Sequence, residues 1–267
     1  MQIQKKVVLI TGASEGIGAA CARAFRDRGA VLSLTARSEG KLLALAGPDD
    51  LVTAGDITDP QVRQHVVENT IQRFGRIDIL INNAGAGLYR PAWAASEQEA
   101  RALFELNLFA PLEMIRLAVP QMRARRSGMV VNIGSIAGKM TLPWFTLYSV
   151  SKYAIGSLTD GLRMELKRDG VHAMTVCPGY VNTGFQAHTI AGSPPESIAR
   201  SRRFAITVEE CARDIVRGVE RDARTVMTPR TGWFLVAAAR VLPSMVDSQL
   251  EKIYARSVAE SAGAEVR

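Results

Sequence analysis

Tyr148 and Lys152 stand four residues apart in a stretch that reads as a helix, and Ser135 precedes the tyrosine by thirteen residues. At that spacing a phenol and an ammonium share one helical face and can act on one substrate atom. A cation beside a phenol favours the phenolate, so the tyrosine pKa is expected to fall towards a range useful for proton transfer. A nearby serine hydroxyl donates to a developing alkoxide or polarises a carbonyl. These are the groups for a carbonyl/alcohol redox step in which something else supplies the hydride. Taken alone, the spacing also fits a packed tyrosine beside a solvated lysine.

The elements that must position these residues begin at the other end of the chain. Val7-Val8-Leu9-Ile10 is a short apolar run with the look of a buried parallel strand. It leads into Thr11-Gly12-Ala13-Ser14-Glu15-Gly16-Ile17-Gly18 and then a helix-like segment from Ala19 to Phe25. A glycine-rich turn between a strand and a helix N-terminus leaves backbone N–H groups free and lets a pyrophosphate approach closely. The spacing is G-x-x-x-G-x-G, not the G-x-G-x-x-G of the standard dinucleotide fingerprint. A tight turn with no ligand is the other reading of the same glycines.

With these motifs in view, the chain resembles the classical short-chain dehydrogenase/reductase family over roughly residues 5 to 230. The family's T-G-x-x-x-G-x-G matches Thr11 to Gly18, and its N-N-A-G matches Asn82-Asn83-Ala84-Gly85 after the strand-like Ile77-Asp78-Ile79-Leu80-Ile81. Asn107 matches the Asn on the following helix, and Ser135, Tyr148 and Lys152 match the active-site residues. Pro178-Gly179-Tyr180-Val181-Asn182-Thr183 matches P-G-x-[VI]-x-T.

At 267 residues and 47% hydrophobic, the chain suits one α/β domain spanning residues 1–267. Strand-like segments lie near 6–11, 30–36, 50–55, 77–82, 128–134, 171–177 and 224–227. Helix-like stretches fall near 17–28, 60–74, 97–125, 147–169 and 208–221. Such alternation predicts a doubly wound parallel sheet of the Rossmann type with helices on both faces, and a ligand over the carboxyl ends of its strands. Gly12, Ser135 and Pro178 each follow a predicted strand, on that edge.

Cys21, Cys177 and Cys211 lack metal-ligand or C-x-x-C spacing and read as reduced, mostly buried thiols of a cytoplasmic protein. His65, His172 and His188 do not pair with further ligands, so no metal is expected; for His188, in the loop after Thr183, solvent exposure is the expectation, with substrate contact the alternative. The N-terminal Met1-Gln2-Ile3-Gln4-Lys5-Lys6 leads directly into the first strand, with no signal peptide expected. The net charge is +7, with basic clusters at Arg123-Ala124-Arg125-Arg126 and Arg200-Ser201-Arg202-Arg203. The first ends a long helix, where cations suit the macrodipole, and no nucleic-acid module accompanies either.

For the cofactor, an Asp or Glu about 20 residues beyond the glycine turn selects NAD, and an Arg there accommodates the 2′-phosphate of NADP. Here Val31-Leu32-Ser33-Leu34 runs into Thr35-Ala36-Arg37-Ser38, with a guanidinium and a hydroxyl for a phosphate. NADP(H) is expected ahead of NAD(H), although Glu15 stands where many NADP-using relatives carry Arg or Lys, and Glu39 is close by. The resemblance implies that Ser14, Glu15, Gly16, Ile17 and Gly18 line the cofactor, and that Asp56-Ile57 holds the adenine; for Asp56 the residues alone also allow a helix N-cap or a turn acid before the helix starting near Pro60. It implies that Asn82 and Gly85 shape the adenosine side, that Val181 and Thr183 contact the nicotinamide carboxamide, and that Asn83, Ala84, Gly85, Pro178 and Gly179 also bind the cofactor.

The resemblance further implies that Tyr148 is the general acid or base, that Ser135 stabilises the oxyanion, that Lys152 holds the nicotinamide ribose, and that Asn107 links Lys152 to solvent through a water. Residues 184–207 read as a substrate loop carrying Phe185, Ile190, Ile198 and Phe204; with Leu142-Pro143-Trp144-Phe145 they suggest a bulky apolar ketone or alcohol, or else loop core. The 230–267 segment reads as a C-terminal helical extension whose Trp233-Phe234-Leu235 run is far short of the about 20 residues of a membrane span. It is expected to pack on its own domain or a partner subunit ahead of lying on a membrane surface. A homodimer or homotetramer is implied by the family.

Ser149-Val150-Ser151-Lys152 also fits the S-x-x-K of serine acyl-hydrolases, but no S-D-N or K-T-G string accompanies it. The remaining rival is a catalytically silent NADP(H)-binding regulatory or membrane-surface protein, since fold alone does not prove catalysis.

Overall fold

The computed structural model describes residues 1–194 and 205–264, with side chains described through residue 255. The Arg200-Arg203 cluster, Ile198 and Phe204 lie outside the described residues. In chain order, β1 (Val7–Thr11), α1 (Gly16–Arg26), β2 (Val31–Ala36), α2 (Glu39–Leu45), β3 (Leu51–Ala54), α3 (Pro60–Phe74) and β4 (Ile79–Asn82) form the first half. A short β5 (Gly87–Leu88) precedes α4 (Glu97–Phe104), α5 (Ala110–Ala124), β6 (Gly128–Ile133), α6 (Thr146–Glu165) and β7 (Val171–Pro178). Then come β8 (Thr189–Ala191), α7 (Val208–Glu220), β9 (Thr225–Thr228), α8 (Gly232–Val241) and α9 (Pro243–Ala264).

The main sheet has seven strands in the order β3-β2-β1-β4-β6-β7-β9, all parallel. The chain builds outward from β1 in one direction, then returns past it to build the other half. The crevice at that reversal is where a parallel sheet of this kind takes a ligand. β5 and β8 pair separately as a two-stranded parallel ribbon.

Successive strand residues face opposite sides, and both sides are apolar here, which is why the strands read as unbroken hydrophobic runs. Val8 and Ile10 pack with Phe25 of α1 and Ile215 and Val219 of α7. Leu9 and Leu80 face the other way, onto Val66 of α3 and Met114 and Ala118 of α5. The helices have local start signals: Asp59 caps α3 by accepting from the Gln61 N–H, and capping boxes Ser96/Glu99 and Thr207/Glu210 open α4 and α7. Asp56 is therefore the turn acid and not the N-cap: its Oδ1 accepts from the Thr58 N–H and hydroxyl in the preceding turn.

The helix expected over 97–125 runs from Glu97 to Ala124, with one wider turn inside it. Between α4 and α5 the backbone makes a π turn at Glu105–Phe109, with the Ala110 N–H reaching back to the Glu105 carbonyl. Pro111 supplies the reason: it has no N–H for the Asn107 carbonyl, and its ring crowds that carbonyl, so the helix widens to pass it. Asn107 sits in the widened turn, 1% exposed. Helix α2 and the β5/β8 ribbon are not among the expected elements, whereas α8 and α9 fall in the 230–267 segment read as a helical extension. The α8 helix buries Gly232 and Val236, which pack on Met227 and Ile136, while Trp233, Phe234 and Leu235 stay exposed. The basic cluster at the end of α5 is tied down, Arg123 to Asp169, Arg125 to the Ile77 carbonyl and Arg126 to the Arg168 carbonyl.

Behind β6, Ser135 opens a 3-10 turn (Ile136–Gly138) that packs directly on α6. A Cβ on Gly138 would stand 2.5 Å from the Lys152 carbonyl oxygen, so only glycine allows this approach. We expect Gly138→Ala to lower unfolding stability by about 1–3 kcal/mol, read as a lower urea midpoint at unchanged m-value.

Candidate active site

A cavity of about 820 Å³ runs along the carboxyl ends of the central strands. At its floor the ends of β1 and β4 are sewn together. The Thr11 hydroxyl accepts from the N–H groups of Asn83 (3.0 Å) and Ala84 (3.1 Å), while the Asn83 amide donates to the carbonyls of Thr11 and Gly12, each at 3.0 Å. Gly12 (φ +63°) turns the chain here, and a Cβ on it would lie 2.8 Å from the Ala84 Cα. Ser14, Glu15, Gly16 and Ile17 line the wall above. Gly18 lies behind it, where a Cβ would meet the Gly12 carbonyl at 2.2 Å. Glu15 is the N-cap of α1, yet its side chain makes no capping hydrogen bond. Unlike α3, α4 and α7, this helix therefore presents uncapped N–H groups, and they face the cavity, as an anion requires.

Asn83, Ala84 and Gly85 line the adjoining wall. Asn82 does not: it is buried, and its amide donates to Asn132 (2.8 Å), which in turn donates to Thr159 on α6 (2.8 Å). Strand alternation turns it into the core, away from the wall that its neighbour Asn83 lines.

The three residues of the opening motif converge at the end of β6. Ser135 Oγ accepts from the Ala137 N–H (3.1 Å), which leaves its own proton free to donate. Tyr148 lies beside it, with its ring stacked on Phe145 at 4.0 Å and edge-on to Phe185 at 5.8 Å. Lys152 Nζ donates to the Ile133 carbonyl at 2.9 Å and sits 5.6 Å from the Tyr148 ring centre. The expected fall in the tyrosine pKa is not seen. Burial raises it, and the hydrogen bond with Ser135 only partly opposes this. Burial likewise pushes Lys152 down to about 8. Desolvation sets the direction of both shifts because both groups are enclosed.

Asn107 stands behind this cluster, outside the cavity lining. It accepts from the Ala86 N–H and donates to the Ala86 carbonyl, both at 3.0 Å, and its second amide proton goes to Ser151 Oγ at 3.1 Å. Ser151 donates to the Tyr148 carbonyl at 2.7 Å, so the π turn is fastened to α6.

At the far end of the cavity, Arg37 and Ser38 follow β2, with Asp56 and Ile57 opposite after β3. Arg37 is exposed and makes no ion pair among the described residues. Ser38 is the N-cap of α2, but its hydroxyl caps nothing. Lys41, which sequence reading missed because α2 has too few residues to show periodicity, also lines this end. Its Nζ lies 2.8 Å from Glu15 Oε2. The other Glu15 oxygen lies 2.7 Å from His188 Nε2, so His188, half-exposed, joins the wall.

Pro178, Gly179, Val181 and Thr183 cross the top of the cavity between these ends. Beyond them, Tyr89 stacks on Phe145 at 4.3 Å, continuing the stack to Tyr148. Leu142, Trp144, Phe185 and Ile190 complete an apolar wall. Leu250 and Ile253 of α9 also reach it, brought there by Tyr254 stacking on Trp144 at 6.4 Å. No local pattern marks these two, because only tertiary packing returns the C-terminal helix to the site.

A family model described as short chain dehydrogenase matches residues 6–193. The chain is 34% identical over 217 residues to an oxidoreductase of Staphylococcus saprophyticus, covering 77% of this chain and 93% of that one. It resembles the crystal structure of a short chain dehydrogenase from Burkholderia cenocepacia in complex with NADP, with a TM-score of 0.79 and 27% identity over 94% of this chain and 99% of the other. A short chain dehydrogenase/reductase from Burkholderia phymatum in complex with NAD shares the fold at a TM-score of 0.82, with 24% identity over 93% and 96% of the two chains. The match over most of the chain, and the sheet order and strand-end crevice it accompanies, make this protein a member of the short-chain dehydrogenase/reductase family of nicotinamide-dependent oxidoreductases.

Proposed function

We propose that this protein is an NADP(H)-dependent oxidoreductase that interconverts a carbonyl and a secondary alcohol on an apolar substrate. The observation that carries this reading is one cavity with the Arg37 guanidinium, which makes no ion pair among the described residues, at one end and the Ser135 hydroxyl, Tyr148 phenol and Lys152 ammonium at the other. Between them lie the uncapped N–H groups of α1, which suit a pyrophosphate, and the glycine turn leaves room for it. Asn83, Ala84 and Gly85 would flank the adenosine side, Asp56 and Ile57 would hold the adenine, and Val181 and Thr183 would meet the nicotinamide side. A bound nicotinamide supplies or accepts the hydride.

The chain's own groups manage the proton. In reduction, Tyr148 donates its phenolic proton to the substrate oxygen, and Ser135 donates a hydrogen bond to the same oxygen as charge develops. Burial keeps Tyr148 protonated near neutral pH, which suits the acid role. The Lys152 ammonium stabilises the phenolate that remains, and Asn107, whose Oδ1 has a second lone pair, holds a water that relays protons between Lys152 and solvent. Phe145, Phe185, Trp144 and Ile190 favour a bulky apolar substrate.

The exposed Val150, Tyr153 and Met164 on α6 support a homo-oligomer joined through this helix. Three free buried thiols support a cytoplasmic location.

Tyr148→Phe is expected to retain NADPH binding, followed by nicotinamide fluorescence, while reduction of an apolar ketone panel falls by at least about 10²; equal turnover would overturn the acid role, and a wild type that binds but reduces nothing would mark a silent binder. Arg37→Ala is expected to weaken NADPH about tenfold or more with little change for NADH; equal losses would defeat the phosphate reading. Because Lys152 is charged below its pKa of about 8 and neutral above it, kcat/KM for reduction is expected to be level below neutrality and to fall as pH rises through about 8. A profile still level at pH 10 would show that the ammonium charge is not needed.

A further inference from the structure

We propose that Lys41 is the second cation of a 2′-phosphate subsite, held over the cavity by Glu15 until a phosphate takes Glu15's place. This rests on the NADP(H) reading. Glu15 occupies the glycine turn, where a lone carboxylate beside Arg37 and Ser38 would repel a phosphate. It is not alone. Its Oε2 lies 2.8 Å from Lys41 Nζ and its Oε1 lies 2.7 Å from His188 Nε2. The hydrogen bond from Lys41 is the main reason its pKa is lowered, so it is an ion at neutral pH.

Glu15, Lys41, Arg37, Ser38 and His188 all line the same end of the cavity. Among the described residues Arg37 makes no ion pair, whereas Lys41 has a partner it can exchange. The Lys41 side chain is 57% exposed, so a change of rotamer on its four-carbon stem can carry the ammonium from the carboxylate to a phosphate. The exchange is favourable because a phosphate monoester carries about −1.5 to −2 charges against one on Glu15. Glu15 keeps His188 on its other oxygen and is not left unpartnered. The cation that the glycine turn lacks is thus supplied from α2.

Calorimetric titration with adenosine 2′,5′-bisphosphate and with ADP, on the wild type, Arg37→Ala, Lys41→Met and Lys41→Arg, tests this without turnover. Lys41→Met is expected to weaken the bisphosphate by roughly five- to tenfold, to leave ADP within about twofold, and to reduce the salt dependence of bisphosphate binding. Lys41→Arg should keep most of the affinity. If Arg37→Ala weakens the bisphosphate but Lys41→Met does not, Lys41 is only a solvated partner of Glu15 and the inference falls while the NADP(H) reading stands. If the wild type binds both nucleotides alike and Arg37→Ala changes neither, the NADP(H) reading itself fails.

Discussion

A lysine ammonium enclosed within an α/β domain is tolerated only when an oxygen meets it and the backbone around it leaves no room to escape. Desolvating such a charge costs several kcal/mol in real proteins. Lys152 is 6% exposed and finds its acceptor in the Ile133 carbonyl, the last of β6. That carbonyl is available because the Ala84 N–H, next in line for it beyond the end of β4, goes to the Thr11 hydroxyl, while the Gly134 N–H keeps its ladder bond to the Val176 carbonyl of β7. A Cβ on Gly85 would come within 3.4 Å of the ammonium, and one on Gly138 would strike the backbone of Lys152. The strand end, the turn carrying Ser135 and the helix carrying Tyr148 are thus held in register around a single charge.

The same enclosure decides the electrostatics. An open Tyr–Lys pair would favour phenolate and ammonium, whereas here burial raises the phenol and lowers the amine. The proton rests on Tyr148 while Lys152 keeps its charge near neutrality. Two titratable groups driven apart by environment are the usual mark of a divided acid–base task. Phe145 contributes directly, since its ring covers a face of Tyr148 and excludes water from it. Tyr89, at the other end of that stack, is raised to about 12 by burial and stays neutral.

The cavity is graded from charged to apolar along its length. Glu15, Arg37 and Lys41 mark one end, and Trp144, Phe145 and Ile253 the other. This gradient matches a ligand that is an anion at one end and meets an apolar partner at the other. The segment after Thr183 touches both, through His188 on Glu15 and Phe185 on Tyr148.

Much of this was legible in the sequence because its causes are local. Apolar runs such as Val7 to Ile10 form strands buried on both faces, glycines at positive φ turn the chain at their ends, and residues following such strands reach one edge of the sheet. Tyr148, Ser135, Arg37 and the glycine turn are legible for that reason. Pro111 even carried the signal for the π turn that places Asn107, although helical periodicity masked it. What only the tertiary structure decided are relations between distant segments. The ion pairs of Glu15 with Lys41 and His188 join three elements, Leu250 and Ile253 reach the cavity only through the return of α9, and Asn82 faces the core by strand parity. The direction of the Tyr148 shift belongs with these, because desolvation is set by everything packed around a group and not by its neighbour four residues along the helix.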